Sequence, residues 1–245
     1  MVVLRLGPTF RRWLVLACSC LLLGAVVRWG LGSAEGAGAF GLRGPITQVP
    51  ISGRAVALTF DVPASAAAGL ARALTVAGLP ATVFVSGRDA AADRGAVRSL
   101  ADSGAEVETL GWDGTDPAGQ APAAILASLR RAAQALAADT GTPPLFFRPS
   151  TGRPGPGVLH AAQAAGLGVV TQTATVDGAD ARALAAGVLA DLAPGAILRL
   201  PAGTGAPALA DIADGLRLRG YEAVTLESLL AMAEGAADVS LSSLP

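Results

Sequence analysis

The chain predicts an α/β domain built on about seven parallel strands with barrel-like closure, preceded by an N-terminal hydrophobic helix. Three observations predict it. Short apolar runs alternate with Ala-rich stretches of helical length, the order expected of repeated βα units. Most of the short runs are apolar on both faces, as strands covered by helices must be. Five Ala-rich stretches are each followed by a glycine (Gly78, Gly104, Gly141, Gly166 and Gly220), where a helix end needs a residue able to turn left-handed. Seven strands suit barrel-like closure better than a small open sheet, although a doubly wound sheet fits the same alternation.

From the N-terminus, Trp13 to Val27 is an apolar run without charge, preceded by Arg5, Arg11 and Arg12 and followed by Arg28. A basic flank before such a run suits a signal peptide or an N-in anchor. Ala37-Gly-Ala39 offers a cleavage site, but Arg28 ends the apolar region poorly for a signal peptide. The expectation is a retained membrane anchor over residues 1–32 and an exported body. Cys18 and Cys20 both lie in the apolar run, so the body has no disulfide. Residues 33–44 are Gly/Ala-rich and read as a linker.

The body, residues 45–234, follows. Its strand-like runs are Ala55–Asp61, Ala81–Val85, Glu106–Leu110, Leu145–Arg148, Gly168–Thr171, Ala196–Leu200 and Ala223–Thr225. Helical stretches are Ala64–Ala77, Ala90–Ser103, Ala121–Asp139, Gly157–Ala165, Ala179–Leu192 and Pro207–Arg219, with a closing helix Leu226–Glu234. Residues 235–245 read as a flexible tail. All 18 basic residues are Arg, and the four before residue 33 leave 14 against 19 acidic groups, a balance of −5. With no basic patch, a nucleic-acid partner is disfavoured. The turn after the first strand, Phe60-Asp-Val-Pro-Ala-Ser65, lacks a dinucleotide-binding glycine pattern. In parallel α/β folds chemistry gathers at strand C-termini, which singles out Asp61, Arg148 and the residues after Leu110 and Leu200.

Six segments in order resemble the polysaccharide deacetylases of the NodB homology type, carbohydrate esterase family 4. Val56-Ala-Leu-Thr-Phe-Asp61 resembles the strand ending in Thr-Phe-Asp-Asp-Gly-Pro, and Ala81-Thr-Val-Phe-Val-Ser-Gly87 the next strand. Gly104-Ala-Glu-Val-Glu-Thr-Leu-Gly-Trp-Asp-Gly114 resembles Gly-His-Glu-Ile-Gly-Asn-His-Thr-Trp-Asp-His. Phe147-Arg-Pro-Ser-Thr-Gly152 resembles Phe-Arg-Pro-Pro-Tyr-Gly. Ala193 to Leu200 and Leu216 to Leu226 are similar to the closing segments. The opening Pro45-Ile-Thr-Gln-Val-Pro, with Phe-Asp-Val in place of Phe-Asp-Asp, looks most like the sporulation-linked branch. The resemblance implies a distorted (β/α) barrel and an N-acetylated glycan, such as peptidoglycan, as ligand.

Active members hold a divalent metal on one Asp and two His, which polarises the acetyl carbonyl and activates water. A second Asp acts as base, an Arg holds it, and a late His protonates the leaving amine. Carried over by position, Asp61 is the base and Arg148 its partner. Val62 stands at the metal Asp, Leu110 and Gly114 at the metal His positions, and Pro201 at the acid His. A catalytic zinc takes about three N, O or S protein ligands, and Val, Leu and Gly supply none. The implied reading is a pseudoenzyme with no metal cofactor. The alternative is a diverged hydrolase removing N-acetyl groups with a carboxylate-based metal site, drawn from Glu106, Glu108, Asp113, Asp116 and Asp177. His160, the single histidine, sits on a helix and reads as a surface residue. Trp112 and Arg153 are the candidate glycan contacts, by ring stacking and by charge. For Asp61 and Arg148 the plainer role is a buried ion pair, and for Trp112 loop packing.

Overall fold

The apolar runs of the sequence become the strands of one parallel sheet in the computed structural model, which describes residues 44–150 and 153–233. The expected anchor, all but the last residue of the linker, the tail, and Thr151 and Gly152 of the fourth matching segment lie outside the described residues. The strands are β1 (Ala55–Asp61), β2 (Thr82–Val85), β3 (Glu106–Thr109), β4 (Phe146–Phe147), β5 (Gly168–Val169), β6 (Ala174–Thr175), β7 (Ile197–Leu200) and β8 (Glu222–Val224). Every pairing between them is parallel.

Strand order along the sheet is β5-β4-β3-β2-β1-β7-β6, with β8 added to β1. Successive strands are neighbours from β1 to β5, and no reversal marks the switch point of a doubly wound sheet. The order is that of a barrel interrupted between β5 and β6, and the sheet curls into a half-barrel. Ile46 bridges Val170 beyond β5, and Gln48 bridges Ala196 before β7. This segment therefore touches both sides of the gap. Its close seat depends on Gly195, at φ +72°, where a Cβ would lie 1.6 Å from the Val49 carbonyl oxygen.

The helices are α1 (Ala64–Ala77), α2 (Gly87–Ala92), α3 (Arg94–Asp102), α4 (Pro122–Thr140), α5 (Pro156–Ala164), α6 (Ala181–Ala190) and α7 (Ala206–Leu218). A last helix, α8, covers residues 226–233. The expected helix Ala90–Ser103 is in fact two. Ser86 caps α2 by accepting from the Asp89 amide, and Asp93 leaves helical geometry (φ −139°) to cap α3 by accepting from the Ala96 amide. A competing Asp cap inside an Ala-rich stretch starts a second helix. β6 was not expected, since two residues carry no period.

Leu58, Phe60, Val83, Leu198 and Val62 are fully or almost fully buried in one core with Leu70 and Leu74 of α1 and Leu209 and Ile212 of α7. Burying side chains of this size contributes about 1.5–3 kcal/mol each. Among the described residues no helix is long and apolar enough to cross a membrane.

Candidate functional site

β1 carries Asp61 to the C-terminal edge of the sheet, level with Phe84 of β2. Arg148 follows β4 directly, and its amide is held by the Thr109 carbonyl. The two side chains meet there, as expected from the sequence. Arg148 Nη1 donates to Asp61 Oδ1 at 2.9 Å, and Nη2 donates to Thr59 Oγ1 at 2.9 Å. Thr59 in turn donates to the Leu198 carbonyl. The guanidinium lies 4.0 Å from the Phe84 ring centroid, and its side chain is 2% exposed against 16% for Asp61. Burial lowers the Arg148 pKa, Asp61 opposes this, and Arg199 adds a smaller like-charge effect in the lowering direction. Arg148 Nε and Thr171 Oγ1 are buried without a hydrogen-bond partner.

A third residue completes the cluster. Arg199 of β7 pairs with Thr59 in register and places Nε 2.9 Å from Asp61 Oδ2. Sequence reasoning missed it. The available signal was one charge inside an otherwise apolar strand, Ile197-Leu-Arg-Leu200. Asp61 is thus held on both oxygens by guanidinium groups. Such an arrangement serves an ion pair well and leaves the carboxylate poorly placed to take a proton from water.

The residues at the family's metal positions do not fit a metal. Val62 is 1% exposed and packs into the core, while its amide donates to the Phe84 carbonyl. Leu110 and Gly114 line a cavity beside Trp112. The carboxylates do not rebuild the site. Glu106 opens β3, level with Thr82, and accepts from Thr82 Oγ1 and the Leu226 and Glu227 amides. Glu108 is buried and accepts from the Leu145 and Phe146 amides, and both glutamates line a separate cavity with Glu227. Asp113 pairs with Arg88, Asp116 accepts from the Ala118 amide, and Asp177 is exposed. Among the described residues no three His, Cys, Asp or Glu side chains are grouped to hold a metal. His160 is exposed on α5.

Trp112 sits on the loop joining β3 to α4. Its amide donates to Ser128 Oγ, and Arg131 stacks 3.4 Å from its ring centroid. A Cβ on Gly87 would lie 2.7 Å from Trp112 Cε3, so the ring is also packed against α2. Arg153 is exposed, five residues beyond Arg148.

Residues 48–170 match the family profile described as polysaccharide deacetylase. The chain belongs to that family. Solved structures extend the likeness beyond the matched segment. A carbohydrate esterase family 4 pseudoenzyme from Bacillus anthracis is 20% identical with a TM-score of 0.71, over 78% of this chain and 70% of that one. A mutant of that protein has restored enzymatic activity. A peptidoglycan N-acetylglucosamine deacetylase is 22% identical, with a TM-score of 0.69 over 76% of this chain and 92% of that one. A family 4 acetyl xylan esterase from Clostridium thermocellum, in complex with a cobalt ion, is 28% identical, with a TM-score of 0.64 over 73% and 91%. No curated protein sequence matches the chain.

Proposed function

We propose that this polysaccharide deacetylase-like protein is an extracytoplasmic, membrane-tethered pseudoenzyme that binds cell-wall glycan or joins an envelope or spore assembly without removing acetyl groups. The observation that carries this is the state of Asp61. Both its oxygens are engaged by Arg148 and Arg199, while Val62, Leu110 and Gly114 offer no donor to a metal. Without a Lewis acid to lower the pKa of water, a base held in this way has no nucleophile to generate. Pro201 at the late acid position leaves the departing amine unprotonated.

Tethering is supported by the apolar run Trp13 to Val27 with its arginine flanks. A glycan ligand is supported by family membership and by the peptidoglycan deacetylase among the structural relatives. The opening Pro45-Ile-Thr-Gln-Val-Pro supports the sporulation-linked role. Elemental analysis of the purified protein, with acetyl-release assays on chitooligosaccharide and peptidoglycan, tests the reading. The expected result is no stoichiometric metal and no acetate. Stoichiometric divalent metal with turnover abolished by Asp61→Asn would overturn it.

A further inference from the structure

Between the β3–α4 loop and α4 lies a cavity of about 320 Å³, apart from the Asp61 cluster. We propose that it binds a carboxylate-bearing saccharide, with the Arg131 guanidinium receiving the carboxylate. The proposal rests on the glycan-binding reading above and names the ligand class. The volume lies at the lower end for small-molecule sites, suiting one sugar unit rather than an extended chain. Leu110, Ile125, Leu129 and Phe147 give it apolar walls for the C–H face of a ring, and Gln120 and Ser128 add polar groups.

The charge argument centres on Arg131. Its guanidinium is stacked on Trp112, which orients the plane and leaves the in-plane N–H donors available. Ser128 fixes the Trp112 backbone by accepting from its amide, and the ring is wedged against Gly87. Among the described residues no carboxylate pairs with Arg131. Asp113, the carboxylate lining the same cavity, is paired with Arg88 at 2.5 Å. An oriented guanidinium with no counter-charge, in the wall of a sugar-sized cavity, is the arrangement that takes a carboxylate through paired N–H···O bonds.

Calorimetry on the full chain tests this with the disaccharide of N-acetylglucosamine and N-acetylmuramic acid and with its carboxyl-reduced form. The acid is expected to bind about tenfold to a hundredfold more tightly, the factor a charge-assisted hydrogen bond gives. Arg131→Gln, a surface change, should erase that preference. Ala127→Phe, which fills the cavity from an exposed helix position, should abolish binding of both forms. Equal affinities, a preference that survives in Arg131→Gln, binding that survives in Ala127→Phe, or no binding of the acid would each overturn the proposal. Acetate release would overturn the pseudoenzyme reading alone, absent binding of both forms would overturn the glycan-binding reading as well, and binding that ignores the carboxyl group, Arg131→Gln or Ala127→Phe would overturn this cavity assignment alone.

Discussion

Replacing Asp61 by Asn isolates the buried half of the cluster. Arg148 is 2% exposed and Asp61 16%, so neutralising the carboxylate strands a guanidinium that water cannot reach. Breaking such a pair from one side costs about 3–5 kcal/mol. The retained amide oxygen and the bond from Arg148 to Thr59 place the expected loss near the lower end. Arg199 is different. It is 38% exposed, so its ion pair with Asp61 is screened, and Arg199→Gln should cost only about 0–1 kcal/mol. Replacing both members of the buried pair, Asp61→Leu with Arg148→Met, removes the stranded charge and should recover much of the loss. Urea unfolding followed by circular dichroism reads all of these. With a slope of about 1–3 kcal/mol per molar urea, a loss of ~3 kcal/mol lowers the midpoint by about 1 M or more. If Asp61→Asn costs no more than Arg199→Gln, or the double replacement is as damaging as Asp61→Asn, the buried-charge account fails.

Glu108, on β3, offers a pH test. Burial first, then repulsion from Glu106, push its carboxyl well above its ordinary value of 4.5; the Phe146 and Leu145 amides oppose the rise, and Glu227 adds to it. The folded protein therefore keeps a proton that the unfolded chain has released, and this group makes stability rise as pH falls through the raised value towards 4.5. Glu108→Gln keeps an acceptor for both amides and removes the charge, so the gain in Tm between about pH 8 and pH 5 should be smaller than in wild type. An unchanged gain in thermal scans would refute the assignment. Gly195→Ala places a methyl 1.6 Å from the Val49 carbonyl oxygen at positive φ, and should lower stability by about 2 kcal/mol or more, with 46–49 losing amide protection first in hydrogen exchange. Unaltered exchange there would show that this segment is not seated by Gly195.

Much of the fold is readable from local pattern. β1 is seven residues of apolar sequence ending in a charge, and α1 runs between Pro63 and Gly78 as the composition dictates. The left-handed glycines after α1 and α4 sit where the end of each helix requires them. β6 escaped notice because its two residues are strands only by pairing with β7. The break at Asp93 escaped because alanine favours helix on both sides and only a side-chain cap separates them. Glu106 and Glu108 looked available for a metal because they lie near a strand end, Glu108 beside a lost His position. Their oxygens are instead taken up by the chain amides of Leu145, Phe146, Leu226 and Glu227.

Family membership, the parallel βα alternation and the loss of the metal ligands are written in residue identities, because each depends on what a single position contains. The state of Asp61 is not. Its two partners lie 87 and 138 positions along the chain, and only the parallel register of β1 with β7, together with the short β4, brings both guanidinium groups to one carboxylate. The seat of Trp112 likewise needs Gly87 of α2 to converge with Ser128 and Arg131 of α4. Local pattern reports which face of a segment avoids water, whereas charge pairing depends on which segments become neighbours, and packing of the sheet decides that.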